Sequence, residues 1–262
     1  INFALGLHHF DIVEHQPHPP GYPVFIVLAR LVYAVVPSEA QALAAVSVVG
    51  GALAIVAMVR VFQAWTDLTA PRWVPMGATG LAATSPLFWL TAARPLSDTM
   101  GLAASLGVQA MALKAATDAG LGVAALGAGL SGGIRSQAIW LTVPTILFAV
   151  AARVSARARL RAAAHAAAGF AIGVLTWAVP LVVLSDGPAA YLRALAAQGS
   201  EDLTGVTMLA TSPSPRQLAR AVYYACIAPW AAWPLGAAVV IAALVGLVLL
   251  ARSGRRSLLI LA

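Results

Sequence analysis

Charge is what this sequence most lacks. Of its 262 residues only 10% are Asp, Glu, Lys or Arg, against about 25% in an ordinary soluble domain. So little polar material cannot cover a water-exposed surface, which excludes a soluble globular domain. Acids number nine, and lysine occurs once, as Lys114. The single cysteine, Cys226, excludes an intrachain disulfide and any cysteine cluster. No P-loop, GxGxxG, GxSxG or CxxC occurs in a supporting context.

What the chain has instead is apolar length. Hydrophobic residues make up 61% of it. Apolar runs fall at about 40–62, 73–92, 99–117, 136–152, 166–185 and 233–251, near the length needed to cross about 30 Å of hydrocarbon. A Gly-rich run, 120–134, and a shorter run, 21–37, read either way. The expected class is an all-α polytopic membrane protein. The net charge of +7 comes from 15 Arg and one Lys against the nine acids. In a soluble protein that balance would point to nucleic acid. Here the arginines sit in short loops between apolar runs, which is an orientation signal, so membrane lipids and not nucleic acid are the expected partners.

The strongest basic loop, Arg153 to Arg161, is expected on the cytoplasmic side, with Arg252, Arg255 and Arg256 as a second inner group. Placing Lys114, Arg60 and Arg72 inside as well requires 120–134 and 136–152 both to cross. It also requires 21–37 to lie in the interface as a juxtamembrane helix. The expected organisation is an outer loop with that helix over 1–39, a helical bundle over 40–185, an outer loop over 186–232 and further spans over 233–262. The chain starts at Ile1, with no Met or signal peptide, and a new apolar run opens at Ser257. Both ends are expected to be cut from a longer protein.

Ionisable groups at membrane depth are costly and mark functional candidates. Four of the five histidines lie within the first 18 residues, in a stretch ending His18-Pro19-Pro20-Gly21-Tyr22-Pro23. Proline restricts its own φ and its predecessor, so this turn holds His18 rigidly at the head of an apolar helix. There it suits a phosphate anchored in the bilayer. The alternative for His8, His9, His15 and His18 is a plain interfacial position. Histidine and carboxylate also suit a divalent cation, but no HExxH or fixed ligand spacing is present.

A second group is Arg94-Pro95-Leu96-Ser97-Asp98. Ser97 or Asp98 can cap the next helix, and an Asp98–Arg94 pair at a cavity mouth is the functional alternative. A third is Gly132-Gly133-Ile134-Arg135-Ser136-Gln137. Its glycines permit close helix approach, and Arg135 and Gln137 can contact a phosphate or sugar.

The string Phe10-Asp11-Ile12-Val13-Glu14-His15-Gln16-Pro17-His18-Pro19-Pro20-Gly21-Tyr22-Pro23 resembles the first outer loop of GT-C-fold glycosyltransferases, among them the protein O-mannosyltransferases and lipid A aminoarabinose transferases. In those proteins a His-Pro-Pro or Lys-Pro-Pro motif precedes a juxtamembrane helix. Ser85-Pro86 followed by Arg94 and Asp98 is similar to their second acidic site, and Gly133-Ile134-Arg135 resembles a later turn. The resemblance covers residues 1–150.

It implies a GT-C-like helix bundle and an inverting transfer of sugar from a polyprenyl-phosphate donor to a protein, lipid or glycan acceptor. A carboxylate acts as base, and cations steady the departing phosphate. Carried over by position, His18 contacts phosphate and Asp98 shapes the acceptor or catalytic site. Arg94 and Arg135 contact phosphate or sugar, together with Gln137, His15 and Tyr22. The family's first acid precedes the His-Pro-Pro motif. Only Asp11 and Glu14 do so here, so the acid is expected upstream of Ile1, with Asp11 as the substitute. The expected location is a bacterial plasma membrane with the working face outward.

A second class, a transporter or flippase for a lipid-linked or anionic solute, also uses short helices and buried arginine. An inverted repeat would favour it, and the two halves do not align. A structural membrane subunit without chemistry is the third class, and the Pro-rich His segment argues against it. A polar cavity lined by Asp98 and His18 would favour the enzyme.

Overall fold

The computed structural model describes residues 2–66 and 70–252, and among them the regular structure is helical, without strands. The expected basic pair Arg255-Arg256 and the apolar run from Ser257 lie outside the described residues.

Two short helices, α1 (Asn2–His8) and α2 (Pro23–Tyr33), flank the His-Pro-Pro loop. Pro23 opens α2 because its fixed φ suits a first helical position, where no N–H is required. The 11 residues of α2 rise about 16 Å, roughly half the hydrocarbon thickness. Arg30 of α2 caps α1, donating from Nε to the Leu7 carbonyl at 3.0 Å and from Nη2 to Gly6 at 2.9 Å.

Three helices are long and apolar enough to cross a membrane: α3 (Glu39–Trp65, 27 residues), α9 (Ala156–Leu184, 29 residues) and α12 (Trp233–Arg252, 20 residues). Between α3 and α9 lie α4 (Trp73–Ala83), α5 (Pro86–Ala92), α6 (Asp98–Lys114), α7 (Asp118–Ile134) and α8 (Ala138–Ala151). The run 73–92, read from sequence as one span, is two helices. Pro86 supplies no N–H and pushes Ser85 to an extended ψ of 126°, which interrupts the helix there. The span read as 166–185 begins much earlier, at Ala156, because the Ser155 side chain accepts from the Ala158 N–H and caps it.

The expected outer loop 186–232 is also largely helical. It holds α10 (Pro188–Leu203), α11 (Pro215–Val222), a π turn at Tyr223–Ile227 and a 3-10 turn at Ala228–Trp230. The Ser85 hydroxyl, freed by the break, donates to the Pro229 carbonyl at 3.1 Å and ties this segment to the bundle.

Small residues set the packing. The most extensive helix contact is α7 with α9. There a Cβ on Gly169 would collide with the Gly122 carbonyl, and one on Gly173 with the Leu126 carbonyl. Backbones this close need glycine on the facing surface. Trp177 Nε1 donates to the Gly129 carbonyl at 2.8 Å across the same contact. The surrounding core is mostly alanine, with Ala124, Ala125, Ala128 and Ala162 fully buried around Leu121. At one end of the bundle, Arg153 donates to the Ala115, Ala116 and Thr117 carbonyls at 3.1–3.4 Å, satisfying carbonyls at the end of α6. Asp118 lies 4.0 Å from Arg153 and 3.9 Å from Arg161.

Candidate functional site

The opposite end of the bundle holds the residues singled out from sequence. The loop after α1 doubles back through an antiparallel bridge, Asp11 N–H to the Gln16 carbonyl at 2.7 Å and Gln16 N–H to Asp11 at 2.6 Å. Ile12 and Pro17 are fully buried beneath it. Gly21 adopts φ +98° with Ile12 Cδ1 2.6 Å and Leu181 Cδ1 3.1 Å from where its Cβ would stand. A side chain there would unseat the loop from α9, so glycine serves both the turn and the close approach.

His18 emerges from this frame half-buried. Its ring lies 5.6 Å from Phe3 and 5.3 Å from Tyr22. Burial pushes its pKa below the usual histidine value, and Asp202 on α10 pulls in the other direction. The imidazole is therefore neutral at pH 7 and offers one N–H donor. Burial disfavours the protonated form.

A cleft of about 520 Å³ opens beside His18, lined also by Asn2, Phe3 and Ala4 of α1, by Glu39, Ala40 and Leu43 of α3, and by Pro95 and Leu96. Glu39 was not singled out from sequence, where it sits at the edge of the first long apolar run. In the fold its Oε1 is 2.9 Å from His8 Nε2. Asp98, which with His18 would have marked an enzyme cavity, does not line this cleft.

Asp98 pairs elsewhere. Its Oδ1 is 3.1 Å from Arg135 Nη2, and Arg135 Nη1 donates to the Ser97 hydroxyl at 3.2 Å. The sequence suggested Arg94 as the partner. Arg94 lies beyond the end of α5 and is exposed, whereas the turn after α7 brings Arg135 over the start of α6. Ser97 occupies the cap position of α6 but makes no side-chain cap bond, because its hydroxyl serves Arg135. Gly101 leaves room for the arginine stem, a Cβ there standing 2.9 Å from Arg135 Cβ. Tyr22 belongs to the same neighbourhood. Burial raises its pKa, Arg135 lowers it and Asp98 raises it.

His15 acts on His18 and helps to lower its pKa; the other candidates make contacts of their own. Asp11 Oδ1 accepts from the Val13 and Glu14 N–H groups at 2.9 and 3.1 Å, so this oxygen holds the loop turn. His15 is a loop residue at φ 57°. Gln137 is exposed and accepts from the Ser136 hydroxyl at 3.3 Å. No cluster of three or more His, Cys, Asp or Glu suited to a metal ion occurs among the described residues.

A separate groove of about 310 Å³ lies farther along α3, lined by Val48, Gly51, Ala52 and Ile55 and by Phe88, Trp89, Ala92 and Ala93 on the α5 side. On α3, residues 48, 51, 52 and 55 share one helical face, and Glu39, Ala40 and Leu43 are turned about a third of a turn away from it. The cleft, with its polar groups, and the apolar groove are separate depressions that both use α3. No family model, curated protein or solved structure matches this chain.

Proposed function

We propose that the protein is an integral-membrane inverting glycosyltransferase that moves a sugar from a polyprenyl-phosphate donor to an acceptor on the outer side of the membrane. The observation that carries this reading is the His18 cleft between α1, α3 and the Pro95–Leu96 turn, with a separate apolar groove between α3 and α5. The polar groups of the cleft suit the phosphate end of such a donor, and an apolar surface on the same bundle suits its chain. The resemblance of the His-Pro-Pro-Gly-Tyr loop to the GT-C proteins supports the same ligand.

In this reading His18 donates its N–H to the donor phosphate, and Arg94, without an ion-pair partner among the described residues and beside Pro95 at the cleft edge, supplies positive charge. The acceptor oxygen attacks the anomeric carbon while the bond from that carbon to the phosphate oxygen breaks. The electron pair leaves with the phosphate, where cations stabilise it, and the hydroxyl proton passes to a carboxylate. We assign the acceptor side to Asp98, oriented by Arg135, with Asp11 as the second candidate. A divalent cation would assist the leaving phosphate if one is required.

A polar cleft and an apolar groove on one bundle also suit a flippase carrying a lipid-linked solute, and one experiment separates the two. Membranes carrying the full-length protein are incubated with polyprenyl-phosphate donors bearing radiolabelled sugar, beside correctly inserted Asp98→Asn and His18→Ala variants. Transfer that both variants lose supports the enzyme and its assigned residues. Donor translocation without transfer overturns the enzyme in favour of the flippase.

A further inference from the structure

A second groove lies on the other side of α3, independent of the proposed site. It occupies about 400 Å³ between α3 and α6. The α3 wall is Leu53, Val56, Ala57 and Arg60, one face at helical spacing, and the α6 wall runs from Met100 to Met111. Its floor is small: Ala103 and Ala110 are buried, and a Cβ on Gly107 would meet nothing within 4 Å. Leucine or methionine at those floor positions would fill the trough. Apart from Arg60 the lining is apolar, and Arg60 stands at the end nearer Arg153.

The charge is the informative feature. Arg60 is exposed within a membrane-spanning helix and has no ion-pair partner among the described residues. An unpaired cation at such a position is costly and seeks an anion or the headgroup layer. Lys114, one turn beyond Met111 on α6, is exposed and adds a second cation at the same end.

We propose that this groove binds one anionic phospholipid from the leaflet bordering the Arg153 end. Its phosphate sits on Arg60, with Lys114 close by, and one acyl chain lies in the trough over Gly107. Charge complementarity selects an anionic over a zwitterionic headgroup, and the empty trough takes the chain.

Native mass spectrometry of the purified protein from mixed phosphatidylglycerol and phosphatidylcholine bilayers tests this. The expected result is one phosphatidylglycerol retained under activation that strips phosphatidylcholine. Arg60→Gln lowers that occupancy about fivefold, as loss of one basic contact at an anionic headgroup implies. Gly107→Leu, which fills the trough, lowers it as much, while Gly246→Leu on α12, where a Cβ also meets nothing within 4 Å, leaves it unchanged. Equal loss of the two lipids from the unaltered protein overturns the site. So does unchanged retention in Arg60→Gln. Retention in Gly107→Leu at the unaltered level overturns the acyl-chain assignment and leaves a headgroup contact alone.

Discussion

The carboxylate of Asp98, at the first turn of α6, faces the guanidinium of Arg135, just past the last turn of α7, at 3.1 Å. Both side chains are about one-third exposed, at 35% and 30%, so solvent screens the pair. The expected coupling in a double-mutant cycle of Asp98→Asn and Arg135→Gln is about 0.5–1 kcal/mol, read from thermal unfolding in detergent. A coupling near zero would show that Ser97 and the packing on Gly101 position Arg135 without Asp98.

Close approach of α7 and α9 rests on glycine. Gly169→Ala places a methyl against the Gly122 carbonyl, and backbone is slow to yield. We expect destabilisation of about 1–3 kcal/mol, the usual range for overpacking. Gly246→Ala, with no neighbour within 4 Å, is expected to be neutral or to stabilise by about 0.5–1 kcal/mol through helix propensity. Equal melting temperatures for the two variants would contradict the packing argument.

Arg153 does structural work that its place in a basic loop conceals. It bonds three carbonyls where α6 ends and lies near Asp118. Arg153→Gln should lower stability by about 2 kcal/mol, the scale of charge-assisted hydrogen bonds lost from a partly buried group. Arg157→Gln, which has no such partner among the described residues, should change it by less than about 0.5 kcal/mol. Chemical denaturation of both variants compares them.

The lowered pKa of His18 has a definite sign. The unfolded chain titrates near 6.5 and the folded one below it, so between those values the unfolded state binds more protons. Stability from this group is therefore full above pH 6.5 and falls as pH drops through that window. Melting curves from pH 7.5 to 5 should show this loss, and His18→Gln should flatten it. A phosphate bound at His18 favours the protonated ring, so donor affinity should rise on mild acidification. Affinity that is flat with pH would remove His18 from phosphate contact.

The membrane class, the helical content and the basic Arg153 loop were legible from the chain itself, because apolar length and clustered arginine report directly on solvent. The Pro-Pro-Gly turn was legible too, since proline geometry is local. Gly132 and Gly133 announced close approach without naming the partners, which are Val24, Ile139 and Trp177; the tightest approach, of Gly122 and Gly129 to Gly169 and Gly173 on α9, was not singled out.

Composition and local backbone chemistry thus determined that this is an all-α membrane chain with a rigid histidine loop beside a short apolar helix. The fold alone decided that Arg135, and not the nearby Arg94, meets Asp98. It decided that Glu39, and not Asp98, shares the cleft with His18, and that the Ser85 hydroxyl at the Pro86 break meets the Pro229 carbonyl. The physical reason is common to all three: hydrogen bonds and ion pairs act over about 3–4 Å. Which groups come that near depends on how distant helices cross, and sequence spacing does not carry that information.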